Sequence, residues 1–249
     1  MMQVKKKEIL FSILGIFFCL LTAGCKKEKP VDHSIQGYAY ASRGQYDKAI
    51  AEFTEVIKSN PTSPEPYYNR GLAYYHKGEY DRAIEDCNKV IEMNARHAQA
   101  YSNRGNAYAN KGEYDRAIAD FAKALQINPK FAEAHYNCGV TYDHMNEHDS
   151  AILEFTKAIE INQNYDDAYC NRGLAYGKKG QFDQALADFD KAVELNPQSP
   201  EAYNNRAVVY YSIKDYDKAW EDVHKAQNMG FQIYPGFLDK LRKDSKREE

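Results

Sequence analysis

The sequence predicts an all-α solenoid of six 34-residue helix-turn-helix repeats, closed by a C-terminal capping helix. Three observations predict it. Strings such as "NRG" and "YDRA" recur at a constant interval, small residues and aromatics hold the same place in every copy, and no copy needs an insertion or deletion. Self-similarity of this period marks a unit that buries its apolar side only by stacking on its neighbours. Composition agrees with a soluble globular chain of ordinary kind, 28% charged and 43% hydrophobic. Formal net charge is -3 with acids and bases interspersed, so no basic face recommends nucleic acid as a partner.

The first thirty residues depart from that average. Lys5, Lys6 and Lys7 precede an apolar run over residues 9–21, broken only by Ser12 and Gly15. As a helix the run rises about 20 Å, short of a hydrocarbon core of roughly 30 Å, and it fits the apolar core of a secretory signal. The run "LTAGC" that ends it resembles the bacterial lipobox, with Thr22 standing where leucine is usual. The resemblance implies a signal peptide over residues 1–24 and lipidation of Cys25, which becomes the first residue of the exported chain. Lys26 after it implies onward sorting to an outer membrane, in a cell that has one. Residues 25–29 then form a short basic tether, about 15 Å when extended, that holds the repeats against the bilayer.

The repeats span 30–63, 64–97, 98–131, 132–165, 166–199 and 200–233. Repeat position 8 is glycine in five copies and Ala207 in the sixth; position 20 is alanine in all six. Position 11 is always tyrosine, and position 24 carries Phe53, Phe121, Phe155 and Phe189, with Cys87 and Val223 in the other copies. Small residues at 8 and 20 let two antiparallel helices approach closely, and the aromatics fill the space between hairpins. Gly44, Gly78, Gly112 and Gly180 fall at position 15, where the first helix stops, and aspartate at position 18 opens the second. Arg70, Arg104, Arg172 and Arg206 at position 7 face an acid at position 23 in every copy, an expected ion pair between helices. Residues 234–249 supply the polar end, with Phe237, Leu238 and Leu241 on one face of a helix opened by Pro235 and a frayed tail beyond Asp244.

Together these positions resemble the tetratricopeptide repeat over residues 30–233. The resemblance implies a right-handed superhelix whose first helices line a concave groove, with positions 2, 5, 6, 9, 12 and 13 facing it. Position 6 reads Asn69, Asn103, Asn137, Asn171 and Asn205, and in peptide-gripping relatives an asparagine there contacts the ligand backbone. The same residue suits a packing motif of this repeat type, and the sequence leaves both readings open. The lysines with which chaperone-binding relatives clamp a terminal carboxylate are absent. The groove offers instead Tyr68, Tyr75, Tyr136 and Tyr211 beside acids such as Glu133 and Asp167. That surface suits a neutral or basic peptide, or alternatively a peptidoglycan fragment or polysaccharide stacking on tyrosine.

No phosphate loop, nucleophile elbow or zinc-type spacing is present, so neither enzyme activity nor a cofactor is expected. His144 and His148 lie close in sequence but straddle the turn of the fourth repeat, which favours a solvated turn over a metal site. A disulfide between Cys138 and Cys170 would need alpha carbons within about 7 Å, less than the usual separation of packed helices. The expected protein is therefore a membrane-anchored, non-enzymatic scaffold of the bacterial cell envelope, binding a protein or peptide partner in its groove. Partner identity and oligomeric state are not readable from the repeats.

Overall fold

The computed structural model describes residues 32–247; the signal segment, Cys25 and its tether lie outside them. Thirteen helices follow one another: α1 (His33–Ala41), α2 (Tyr46–Ser59), α3 (Pro64–His76), α4 (Tyr80–Met93), α5 (Ala98–Asn110), α6 (Tyr114–Ile127), α7 (Ala132–His144), α8 (His148–Ile161), α9 (Asp166–Lys178), α10 (Phe182–Leu195), α11 (Pro200–Ser212), α12 (Tyr216–Asn228) and α13 (Pro235–Ser245). Each helix packs on the next, pairing within a repeat and again between repeats. No strand and no membrane-length apolar helix occurs among the described residues.

Close approach within each pair depends on one steric fit. A Cβ on Gly105 would lie 2.9 Å from the ring of Phe121, a separation that no real side chain tolerates. The glycine at position 8 therefore makes the seat for the phenylalanine at position 24 of the same repeat. Phe53, Phe121, Phe155 and Phe189 are at most 1% exposed as a result. In the sixth repeat the seat is Ala207 and the occupant the smaller Val223, both fully buried, so volume is traded across the contact.

The turns between paired helices need one left-handed residue. Gly78 has φ of 77° there, and where glycine is missing Asn146 (φ 59°) and Lys214 (φ 62°) take the same conformation. Asparagine visits that region readily; lysine does so against its Cβ.

The expected ion pairs form and are bidentate. Arg104 donates from Nε and Nη2 to Asp120 at 2.7 Å each, and Arg70, Arg172 and Arg206 repeat the geometry on Asp86, Asp188 and Asp222. The remaining guanidinium nitrogen reaches back to the preceding repeat, to Thr54, Asn88, Thr156 or Asp190. Each arginine thus ties three helices, and it also lies over the tyrosine three residues before it. Burial outweighs the cation at Asp86, whose carboxyl sits above its ordinary value although Arg70 is held more firmly protonated by it. Register, more than net stability, is what such a pair contributes.

The first and fourth repeats lack the arginine and solve the same problem differently. His33 and His135, at position 4, bring Nδ1 to within 2.6 Å of Glu52 and Glu154. The longer glutamate spans to the shorter imidazole, and His135 Nε2 lies 3.3 Å from the Pro129 carbonyl. These histidines are not singled out by the spacing of the repeat motif.

At the C-terminus α13 covers the sixth repeat. Leu241 is fully buried beside Trp220, Val223 and Ile233, and Trp220 Nε1 donates to Ser245 Oγ at 3.1 Å. Beyond Asp244, Arg247 lies 2.6 Å from Asp217, as Lys111 of the third repeat lies from Asp81 of the second. The capping helix therefore repeats the register of a first helix.

Arg104→Ala strands the buried Asp120 carboxylate and is expected to destabilise the domain by about 3 kcal/mol. Replacing both partners, Arg104→Met with Asp120→Leu, should recover most of that loss in urea unfolding.

Candidate functional site: the concave face

First helices of successive repeats approach one another, α3 to α5, α5 to α7, α7 to α9 and α9 to α11, and no two second helices come as close. The stack therefore curves with its first helices inside. A hollow of about 370 Å³ on this face lies between α5 and α7, with Tyr75 of α3 at its edge. It brings together three of the residues expected from sequence, Tyr75, Glu133 and Asn137. Asn106, Asn110 and His144, at groove positions 9 and 13 but not singled out from the sequence as ligand contacts, join them. Tyr75 is oriented by Asn110, whose Nδ2 donates to its hydroxyl at 3.0 Å, while His144 stacks on Tyr114.

The other expected residues are distributed along the groove and partly engaged within the stack. Asn69 donates to the Tyr38 hydroxyl at 2.7 Å, Asn171 to the Tyr136 hydroxyl at 3.0 Å, and Asn205 to Cys170 Sγ at 3.7 Å. These three asparagines thus serve packing: each amide donates to a side chain of the preceding repeat, and Asn205 Oδ1 accepts from Asn204 at 3.4 Å. Asn103 lies beside Tyr68, yet its Nδ2 is buried with no bond of proper geometry.

The tyrosines are not flat open platforms. Tyr68 packs on His97, Tyr136 on Phe155 and Tyr165, and Tyr211 donates to Asp244 and meets Phe237 of the cap. Burial, then the nearby Asp167, push the Tyr136 hydroxyl up to about 12. Burial together with Asp166 and Glu201 also raises Asp167 above its ordinary value.

The histidine turn does not gather a metal set. His148 Nδ1 is 3.0 Å from Asp143, which also accepts from Lys178 at 2.6 Å, and His144 points to a different neighbour. Among the described residues no cluster of three or more histidine, cysteine or acidic side chains is arranged for a metal. Cys87, Cys138 and Cys170 are free thiols. Burial pushes Cys138 and Cys87 up to about 12 and Cys170 to about 11, the opposite of what a nucleophile needs.

Models of the repeat match most of the described chain. One described as "TPR repeat" fits residues 37–78, 105–143 and 144–180, and two described as "tetratricopeptide repeat" fit 64–97 and 166–199, and 87–119 and 189–221. The protein belongs to the tetratricopeptide repeat family. The crystal structure of MamA is 34% identical over 65% of this chain and 95% of its own, with a TM-score of 0.59. That of YrrB, described as a TPR protein with an unusual peptide-binding site, is 28% identical over 71% and 91%, with a TM-score of 0.58. Pseudomonas aeruginosa pilF shares the fold, at 18% identity over 86% and 96% and a TM-score of 0.73. No curated protein sequence matches significantly.

Iodoacetamide at pH 8 should leave Cys87 and Cys138 unmodified in the folded protein and alkylate both in urea, as read by peptide mass spectrometry.

Proposed function

We propose that this protein is a non-enzymatic scaffold of the bacterial cell envelope, lipid-anchored at Cys25, that holds an extended segment of a partner protein in its concave groove. The observation that carries the reading is the hollow between α5 and α7, where Tyr75, Asn137 and Glu133 converge on one face of stacked first helices. An extended peptide has backbone donors and acceptors on both sides, and amide, phenol and carboxylate groups answer both. Membership of a repeat family whose relative YrrB is described by its peptide-binding site supports a peptide over a small-molecule substrate.

Acidic residues set the preference within that class. Glu133, Asp167 and Glu201 recur at position 2 of successive repeats and are exposed, which favours neutral or basic segments and disfavours a terminal carboxylate. The partly buried tyrosines make poorer stacking platforms for sugar rings than their number suggests, so the glycan reading is second.

Anchoring rests on the "LTAGC" run alone, and localisation follows from it: exported, tethered by lipid, and facing the periplasm where an outer membrane exists.

Two experiments bear on the halves of the proposal separately. Cys25→Ala should move the protein from the membrane to the soluble fraction with its helical circular dichroism unchanged; continued membrane association would defeat the anchor. Glu133→Lys with Asp167→Lys should abolish co-purification of crosslinked partners from the protein's own cell without lowering its melting temperature. An unchanged partner set would place the interaction elsewhere than this groove.

A further inference from the structure

A second hollow of about 250 Å³ lies on the concave face between α9 and α11, and its character differs from the first. Leu174, Phe182, Phe189, Val208 and Val209 line it, and Val208 is 41% exposed although it stands on a helix face that turns toward the groove. Its origin is a local gap in an otherwise regular arrangement. The ring at repeat position 17 is covered in other copies from one of two directions. In the second and sixth repeats Tyr75 lies on Tyr80 and Tyr211 on Tyr216, from position 12. In the first and third, His76 stacks on Tyr46 and His144 on Tyr114, from position 13 of the following repeat. His148 of the fourth repeat is held by Asp143.

Phe182 packs on Ala185, Phe189 and Val209 as part of the core, but alone among the six it has no ring or carboxylate partner from position 12 or 13. Position 12 is Gly177 and position 13 of the next repeat is Ser212, and both line the hollow. A Cβ on Gly177 would meet only Val209 Cγ2, at 3.8 Å, an ordinary contact. The glycine is therefore not required by packing, unlike Gly173 one turn earlier, where a Cβ would come 3.1 Å from Phe189. What Gly177 does is leave an apolar socket open on the face where partners would lie.

The same two helices carry an unneutralised charge at their other end. Asp167 and Glu201, exposed at position 2, form no ion pair among the described residues, and burial of its carboxyl with the nearby Asp166 and Glu201 raises Asp167 above its ordinary value. The two features are joined: Asn205, which lines the socket, donates to Cys170, and Cys170 lies within the field of both carboxylates. From position 2 to position 9 a helix rises about 10 Å, and an extended peptide covers about the same distance in three residues.

We propose that the face of α9 and α11 is a docking site for an extended peptide that seats one bulky apolar side chain in the socket beside Gly177 and sets a lysine or arginine, about three residues away, against Asp167 and Glu201. This rests on the reading of the groove as a peptide site and specifies which peptide. The apolar side chain supplies the cover that Phe182 lacks and removes Val208 from water; the cation relieves the repulsion between the two acids. Neither anchor alone distinguishes one peptide from many, and their separation is what selects.

The test is a random dodecapeptide display library selected on the detergent-solubilised full chain, with affinities of enriched peptides measured by fluorescence anisotropy. Enriched sequences should pair a large apolar residue with lysine or arginine at about the three-residue separation. Gly177→Tyr fills the socket with the residue that the second and sixth repeats carry, so folding is preserved, and it should weaken these peptides by roughly tenfold or more. Asp167→Asn with Glu201→Gln should weaken them less and remove most of the salt dependence. Melting curves of both variants should match or exceed the parent.

Peptides that are indifferent to Gly177→Tyr but lost on Asn137→Ala would overturn this site and leave the groove reading intact. Failure of any peptide to enrich would overturn both. A change in self-association on Gly177→Tyr, with peptide affinities unaltered, would assign the socket to a second copy of the chain and likewise overturn the proposal.

Discussion

Everything in this solenoid depends on how closely the two helices of a hairpin can approach, and that is decided by a ring seated on a missing side chain. Phenylalanine at position 24 fills the space that glycine leaves at position 8, as Phe121 does against Gly105. The contact sets the separation of the pair and turns the ring away from water. It also leaves room for the next hairpin to stack at nearly the same angle. Because the unit is repeated, a small error in this geometry would be multiplied along the chain; volume is exchanged across the contact in the sixth repeat, while in the second Cys87 stands opposite an unchanged Gly71. Ala207 with Val223 keeps the seat filled, the alanine methyl standing in for part of the missing ring.

Polar contacts then fix the register that apolar packing leaves loose. A phenylalanine on a glycine tolerates some sliding; a bidentate arginine does not, because its fork must meet both oxygens of one carboxylate. The third guanidinium nitrogen carries that alignment to the preceding repeat, so one side chain orders three helices. Where histidine replaces arginine, in the first and fourth repeats, the acid lengthens from aspartate to glutamate and the pairing persists through a different atom. The fourth repeat also has Asn146 in its turn and Cys138 in place of the arginine, so its departures from the pattern are met by local substitutes.

Function is left to the positions that packing does not use. The first helices face inward because they are the closer-spaced set, and what they present differs from repeat to repeat. Between α5 and α7 the lining is polar, with Asn137, Glu133 and Tyr75; between α9 and α11 it is apolar around Gly177. A groove of constant geometry and changing chemistry can read an extended chain along its length. Away from the groove, burial raises the Cys87 and Cys138 thiols, and His148 is engaged by Asp143.

Much of this was legible in the residues, for a physical reason. Period, helix ends and the glycine, alanine and aromatic positions are local or nearly local demands, repeated six times, so the fold and the Arg–Asp pairs follow from spacing. The choice of groove-facing positions came from the resemblance to the repeat family and not from spacing. What spacing does not carry is competition between neighbours. Whether Asn171 is free or bonded to Tyr136, whether Tyr211 faces a ligand or the capping helix, and whether His135 meets Glu154 depend on side chains brought together from different repeats. The same is true of Gly177: in sequence it is one more small residue, and only the stacked structure shows a hollow beside it that no side chain from position 12 or 13 fills. The sequence by itself determined the repeat, its register and its curvature, because each rests on contacts within one unit or the next. Tertiary structure decided which polar and aromatic groups remain available, because availability is set by what the adjacent repeats have already taken.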